Sequence, residues 1–132
     1  TSARQASLNA AGGDIVSVAL GLTGIPYVYG GESLGGLDCS GLVKYAYAAA
    51  GINLPHSSSA QTAGGTIVSD PQPGDIVAQK WDPTRGRWEH VGIYVGDGMM
   101  ISAINESAGT RKHPVTQTGE SPVYFTILKE QQ

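Results

Sequence analysis

The most informative stretch of the chain covers residues 38–51 and reads DCSGLVKYAYAAAG. Asp38 is a residue type that caps helix N-termini, because its carboxylate accepts from backbone N–H groups that have no helical acceptor. Apolar residues recur after it at helical spacing, and Gly51 stands where a left-handed residue commonly ends a helix. These signals predict a helix from Cys39 to Ala50 that begins immediately after its cap.

A second helix is predicted earlier, over residues 14–22, with Asp14 as its cap. Pro26 disfavours helical geometry at the residue before it, so this helix ends by that point. Residues 1–12 are small and polar with little periodicity, and we interpret them as a flexible N-terminal arm or linker. One folded domain is then expected over residues 13–132.

The second half of the chain changes to a period of two, which is typical of β-strands. Strands are predicted at residues 76–78, 88–95, 99–104 and 123–128. A Ser-, Gly- and Thr-rich segment over residues 105–121 is predicted to be a loop. Helices followed by a run of antiparallel strands predict an α+β domain, with helices packed on an antiparallel sheet of about five or six strands.

The composition restricts the classes of function. The 132 residues suit one domain, and only 14 % of them are charged, with a net charge of −3. Such a chain has no positive field to attract nucleic acid. It also shows neither a membrane-spanning apolar run nor a signal peptide, so an exported protein would be in its mature or trimmed form. We therefore expect no nucleic-acid partner and no membrane insertion.

Cys39 is the one cysteine of the chain, which excludes an internal disulfide and a cysteine metal cluster. At a helix start, free backbone N–H groups and the helix dipole favour the thiolate and make a cysteine nucleophilic. The alternative is a small buried hydrophobic residue, which is the usual role of a single cysteine.

A thiolate nucleophile needs a basic partner, and the chain offers three histidines. His90 lies at the start of an alternating strand, on the same face as Gly92, and is therefore the candidate base. The alternative is that His90 is a structural histidine at the edge of the core. His56, in a connection, and His113, in the polar loop, are interpreted as exposed. The histidines lack metal-ligand spacing, so we expect no metal and no cofactor.

Five blocks occur in order: IPYVYGG at 25–31, DCSGLV at 38–43, LP at 54–55, QPGDIV at 72–77 and HVGIYVG at 90–96. Together they resemble the NlpC/P60 cysteine peptidases, a papain-like group that cleaves bacterial cell-wall peptides. The resemblance implies that Cys39 is the nucleophile and His90 the base. It also implies that Tyr27, Asp38 and Ser40 hold the peptide end of the substrate, although Asp38 can equally be a plain helix cap.

The chain departs from this resemblance at two positions. Where family members orient the histidine with a third polar residue, usually His, Asn, Gln or Glu, this chain has Ser102. Serine accepts from an imidazole N–H but cannot stabilise imidazolium as a carboxylate would, and Asn105 or Glu106 are alternatives for the role. His56 replaces a common Arg, so as a substrate-binding residue it would hold a carboxylate less firmly.

Two hypotheses from different classes follow. The first is a cell-wall hydrolase, a cysteine endopeptidase that cleaves peptidoglycan stem peptides at the D-γ-glutamyl–diamino acid bond through an acyl-enzyme. The second is a catalytically weakened peptidoglycan-binding module of the same fold. Acyl transfer or amide hydrolysis on another substrate is a third possibility that no sequence feature separates from the first. In the first two cases the partner is a stem peptide, and we expect a monomer that acts outside the membrane, in the cell wall or periplasm.

Overall fold

A computed structural model describes residues 2–119 and 121–128, with side chains from residue 9 onward. The described helices are α1 (Ser2–Gly21), α2 (Cys39–Ala49) and α3 (Ser58–Ala63). None of them combines the length and apolar character that crossing a bilayer requires. The helices pack on an antiparallel sheet, which confirms the predicted α+β class.

The main sheet has six strands in the order β3-β8-β4-β5-β6-β7, within the range expected from the sequence. Its strands are β3 (Thr66–Val68), β4 (Ile76–Asp82), β5 (Arg87–Gly96), β6 (Met99–Ala103), β7 (Thr110–Pro114) and β8 (Val123–Thr126). Two further strands, β1 (Glu32–Ser33) and β2 (Gly36–Leu37), form a separate small ladder before α2. The longest strand, β5, lies between β4 and β6 in the sheet interior.

Alternation along β4, β5 and β6 builds the core. The apolar positions of one sheet face are fully buried and pack against the helices. They are Ile76, Ala78, Val91, Ile93, Ile101 and Ala103 from the strands, with Leu42, Val43, Ala46 and Tyr47 from α2. Because α2 lies on β5, the first residue of the helix is held against the beginning of that strand.

The predicted cap of α2 is confirmed. The Asp38 carboxylate accepts from the backbone N–H of Gly41 at 2.7 Å, and Gly51 follows the helix with φ 81°. A Cβ at position 41 would lie 1.9 Å from the carbonyl oxygen of Gly31. The first turn of α2 therefore presses on the preceding loop, which fixes where the helix begins.

The first helix is longer than predicted. It begins at Ser2, so residues 2–12 are helical rather than an irregular arm, and Asp14 lies inside the helix instead of capping it. Several alanines favour a helix in this segment. Packing against the rest of the domain also stabilises it, although the weak apolar periodicity of the segment did not indicate such packing. Gly12 is buried, and a Cβ on it would lie 2.8 Å from the carbonyl oxygen of Pro73.

The proposed division of the chain stays a prediction. Residues 129–132 of the expected domain lie outside the described residues.

The predicted loop at 105–121 contains a strand. β7 pairs with β6, with Met100 opposite His113 and Ser102 opposite Arg111. It is an edge strand, where charged residues and a proline are tolerated, so its sequence lacks the apolar alternation of an interior strand. The loop assignment was therefore wrong over residues 110–114.

Candidate active site

Cys39 is the first residue of α2, and its sulfur lies against β5. The thiol donates to the carbonyl oxygen of Glu89 at 4.0 Å, and the backbone N–H of Val91 also acts on it. These are the two neighbours of His90. Among the described residues the thiol makes no hydrogen bond to the His90 ring, and catalytic contacts of this kind commonly tighten only when substrate binds.

The protonation of the thiol differs from the sequence-based expectation. Burial raises the pKa of the Cys39 thiol above its ordinary value, and the charge of Asp38 adds to this. The backbone N–H groups of Val91, Ser40 and Cys39 lower the pKa but do not outweigh the loss of water. In the free protein, the partial burial of Cys39 therefore opposes the thiolate that a helix start alone favours.

His90 is buried on β5, and its Nε2 lies 2.8 Å from the Ser102 hydroxyl on β6. Gly92 permits this approach, because a Cβ there would lie 2.9 Å from the Cβ of Ser102. Burial lowers the pKa of His90 to about 4, and the charges of His113 and Lys80 act in the same direction. The ring is therefore neutral at physiological pH, as a general base must be.

His113 was predicted to be an exposed loop residue, and this was wrong. It is 3 % exposed, and its Nε2 lies 2.6 Å from the Ser102 hydroxyl, which also contacts His90. Its Nδ1 lies 2.8 Å from the carbonyl oxygen of Pro114. Burial lowers the pKa of this ring, and the Pro114 contact partly opposes that effect. The weakness of Ser102 as a sole partner for His90 was the one sequence signal that a further residue was needed.

Of the three candidates for the third polar residue, Ser102 makes the contact with His90. The Asn105 side chain instead accepts from the backbone N–H of Ala108 at 2.8 Å and closes its own turn. Burial raises the pKa of Tyr27, and the charges of Cys39, Asp38, Tyr29 and, as the smallest of these causes, Glu106 act in the same direction.

A cavity of about 570 Å³ opens in front of Cys39. The four residues predicted to bind substrate, Tyr27, Asp38, Ser40 and His56, all line it. Arg85, Arg87 and Trp88 also line it. The two arginines were not among the predicted site residues.

Both carboxylate oxygens of Asp38 already have hydrogen-bond partners within the protein. One carboxylate oxygen accepts from the Gly41 N–H and lies 2.7 Å from His56 Nε2, and the other accepts from the Gly30 N–H at 3.0 Å. His56 Nδ1 lies 2.7 Å from Glu32, so a cationic His56 would donate to two carboxylates at once. Asp38 therefore organises the cavity wall, with little accepting capacity left for a substrate amine.

A second cavity, of about 530 Å³, lies on the His90 side and shares Glu89 with the first. Lys80, Asn105 and Thr118 are among its lining residues. Lys80 has φ 58°, and the β4–β5 pairing skips it. No three His, Cys, Asp or Glu side chains in the described part of the chain are grouped to hold a metal ion.

Comparison with known proteins gives consistent matches. The model of the NlpC/P60 family matches residues 24–129. A protein of Mycobacterium tuberculosis (strain ATCC 25618 / H37Rv) named "Probable endopeptidase Rv2190c" is 44 % identical over 119 residues, covering 86 % of this chain and 29 % of that protein. A "Gamma-D-glutamyl-L-lysine dipeptidyl-peptidase" of Bacillus cereus is 32 % identical over 108 residues, covering 80 % of this chain and 32 % of that one.

A solved structure gives the same result for the fold. The peptidoglycan hydrolase RipB of Mycobacterium tuberculosis superposes with a TM-score of 0.79 at 29 % identity, covering 95 % of this chain and 68 % of that one. The chain spans about a third of the length of the two curated relatives above.

Proposed function

Because the chain belongs to the NlpC/P60 family, we propose that it is a cell-wall hydrolase that cleaves peptidoglycan stem peptides as a cysteine endopeptidase. One observation carries the proposal. The half-buried thiol at the start of α2 contacts the carbonyl oxygen of Glu89, the neighbour of His90 on β5. His90 Nε2 lies 2.8 Å from the Ser102 hydroxyl, which leaves Nδ1 for catalysis. Nucleophile, base and orienting group are thus assembled on three adjoining elements.

The proposed mechanism starts from a Cys39 thiol and an uncharged His90 ring. As the Cys39 sulfur attacks the peptide carbonyl carbon, its proton passes to His90 Nδ1, and the carbonyl oxygen becomes an oxyanion. The backbone N–H of Cys39 is the proposed donor to that oxyanion. His90 then gives its proton to the leaving amine as the C–N bond breaks, which leaves a thioester on Cys39. Water then loses a proton to His90 and attacks the thioester carbon. As the C–S bond breaks, His90 returns that proton to the Cys39 sulfur, which releases the carboxylic acid and regenerates the thiol and the neutral ring.

We propose the D-γ-glutamyl–diamino acid bond as the site of cleavage. The name of the Bacillus cereus relative describes a γ-D-glutamyl–lysine linkage. A γ-linked glutamate keeps a free α-carboxylate, and Arg85 and Arg87 line the cavity on the Cys39 side that would receive it. The leaving amine belongs on the His90 side, so the diamino acid would occupy the cavity that Lys80 lines.

Mass spectrometry of purified muropeptides tests the reaction. The wild type, Cys39→Ala and Cys39→Ser are incubated with muropeptides under reductant, after circular dichroism shows equal folding. Cleavage by the wild type alone, with fragments that end in D-glutamate, supports the proposal. Cleavage by Cys39→Ala would refute it. Saturable binding to sacculi without any mass change in the wild type would instead identify a binding module.

The glutamate carboxylate gives a sharper test of the bond. Amidation to D-isoglutamine removes the charge that the arginines would pair with. Exposed ion pairs are worth roughly 0.2–1 kcal/mol, so we expect cleavage of the amidated substrate to be slower by a factor of about 1.4 to 5. This difference should shrink in an Arg85→Gln/Arg87→Gln variant, and equal rates in the wild type would contradict the assignment.

A further inference from the structure

Ser102 lies between two histidine rings. Its hydroxyl oxygen is 2.8 Å from His90 Nε2 and 2.6 Å from His113 Nε2. His90, Ser102 and His113 are 8 %, 0 % and 3 % exposed, so bulk water does not compete for these contacts. The chain of contacts ends at the carbonyl oxygen of Pro114, 2.8 Å from His113 Nδ1.

The contact between His113 Nδ1 and the Pro114 carbonyl oxygen determines which group donates in each of the other hydrogen bonds. A carbonyl oxygen only accepts, so His113 must carry a proton on Nδ1. In a neutral ring Nε2 then has a lone pair, and it accepts from the Ser102 O–H. That leaves the serine oxygen as the acceptor from His90, which must carry its proton on Nε2. The His90 lone pair is consequently on Nδ1.

We propose that His113 is a positioning residue that acts through Ser102 to fix the tautomer of His90, with the proton on Nε2 and the lone pair on Nδ1. A serine hydroxyl alone can donate or accept, so it would permit either neutral tautomer of His90. With His113 holding the hydroxyl proton, one tautomer remains. The catalytic consequence rests on the proposed function, since only a bare Nδ1 can take the Cys39 proton.

The tautomer is directly measurable by ¹⁵N NMR of the histidine rings, because protonated and bare ring nitrogens have very different chemical shifts. His113→Leu removes the acceptor at similar size, and His113→Gln keeps an acceptor within reach of Ser102. Val115→Ala is the matched control. It removes packing from the small cluster of Val77, Met100 and Val115 without altering the hydrogen-bonded chain.

At pH 7 we expect His90 to carry its proton on Nε2 in the wild type, in His113→Gln and in Val115→Ala. In His113→Leu we expect a mixture of tautomers and a kcat about tenfold lower at similar KM, the effect of losing roughly one net hydrogen bond. Ser102→Ala should give the same mixture, and adding His113→Leu to it should change the tautomer no further.

An unchanged His90 tautomer in His113→Leu would overturn the proposal. An equal change in Val115→Ala would also overturn it, because general loosening would then be the cause. If His113→Leu does not fold, the His90 tautomer is measured in Ser102→Ala and in Ser102→Ala/His113→Gln instead. A single His90 tautomer in these proteins, which lack the serine hydroxyl, would refute the proposal. A wild type that hydrolyses nothing would refute the proposed function alone, since the NMR result stands without turnover.

Discussion

The charge of His90 depends on its surroundings at the scale of single residues. Burial lowers its pKa to about 4 from an ordinary 6.5, with further lowering by His113 and Lys80. The acidic limb of kcat/KM reports the free enzyme's base, so we expect activity to persist well below pH 6.5 and to fall near pH 4. A pH–rate profile on a purified muropeptide checks this.

Lys80 provides the matched variants. Lys80→Gln removes a charge that lowers the pKa of His90, so the acidic limb should move to higher pH, whereas Lys80→Arg should leave it in place. Identical limbs in the Gln and Arg variants would show that the Lys80 charge does not act on His90.

Gly92 controls the approach of Ser102 to His90. A Cβ at this position would lie 2.6 Å from the Ile101 carbonyl oxygen and 2.9 Å from the Ser102 Cβ. Gly92→Ala should force β6 away, destabilise the protein by about 1–3 kcal/mol and lower kcat. Urea denaturation and muropeptide hydrolysis measure the two effects.

Gly64→Ala is the control for that substitution. Position 64 has an ordinary φ of −84°, and a Cβ there would meet nothing within 4 Å. Its stability and kcat should stay close to the wild-type values. A Gly92→Ala protein as stable and active as Gly64→Ala would mean that the strand spacing does not hold Ser102 in place.

At the scale of elements, α1 carries two adjacent glycines in opposite environments. Gly13 is exposed and a Cβ on it would meet nothing within 4 Å, whereas a Cβ on Gly12 would lie 2.8 Å from the Pro73 carbonyl oxygen. Gly13→Ala should stabilise the protein by roughly 0.5–1 kcal/mol, and Gly12→Ala should destabilise it. Thermal denaturation of the pair tests whether the helix continues through residues 12–13; equal effects would contradict it.

The elements that the sequence predicts well are those with local signals. Asp38 and Gly51 bracket α2, and strict alternation identifies β5, so Cys39 and His90 could be placed from the sequence alone. His113 could not be placed. Its strand is held by pairing with β6, and the burial of that residue comes from neighbours distant in sequence. The same applies to the thiol pKa, because the helix start is local but the burial that outweighs it is not.

At the scale of the whole molecule, the buried histidines make stability depend on pH. The folded-state pKa of His90 lies below its unfolded value, so the unfolded chain takes up the proton first. Stability is therefore complete above about pH 6.5 and is lost as the pH falls toward 4. Between pH 7 and pH 5 the titration of His90 alone should lower the free energy of unfolding by about 2 kcal/mol.

Urea denaturation at the two pH values, with His90→Gln as the comparison, isolates the contribution. The wild type should lose about 2 kcal/mol more than the variant over this interval. Equal losses would show that His90 is not held neutral by its burial. The pKa of His113 is lowered in the same direction, and the charge of His113 is itself one of the causes that lower the pKa of His90, so the difference reports His90 together with this coupling.

The position of β7 at the edge of the sheet also affects how readily this strand opens locally. Beyond Thr110, whose backbone also bonds Gly24 and Ile25, β6 is the one strand in the described part of the chain that pairs with β7, while β5 has a partner on each side. Edge strands open locally at a lower free energy than interior strands, which exchange their amide hydrogens only when the whole domain opens. His113 lies on this edge strand, so under the proposed mechanism we expect the population of molecules with a correctly oriented His90 to follow the local opening of β7. If the proposed function is right, gentle warming should then lower the rate of muropeptide hydrolysis while the core is still folded.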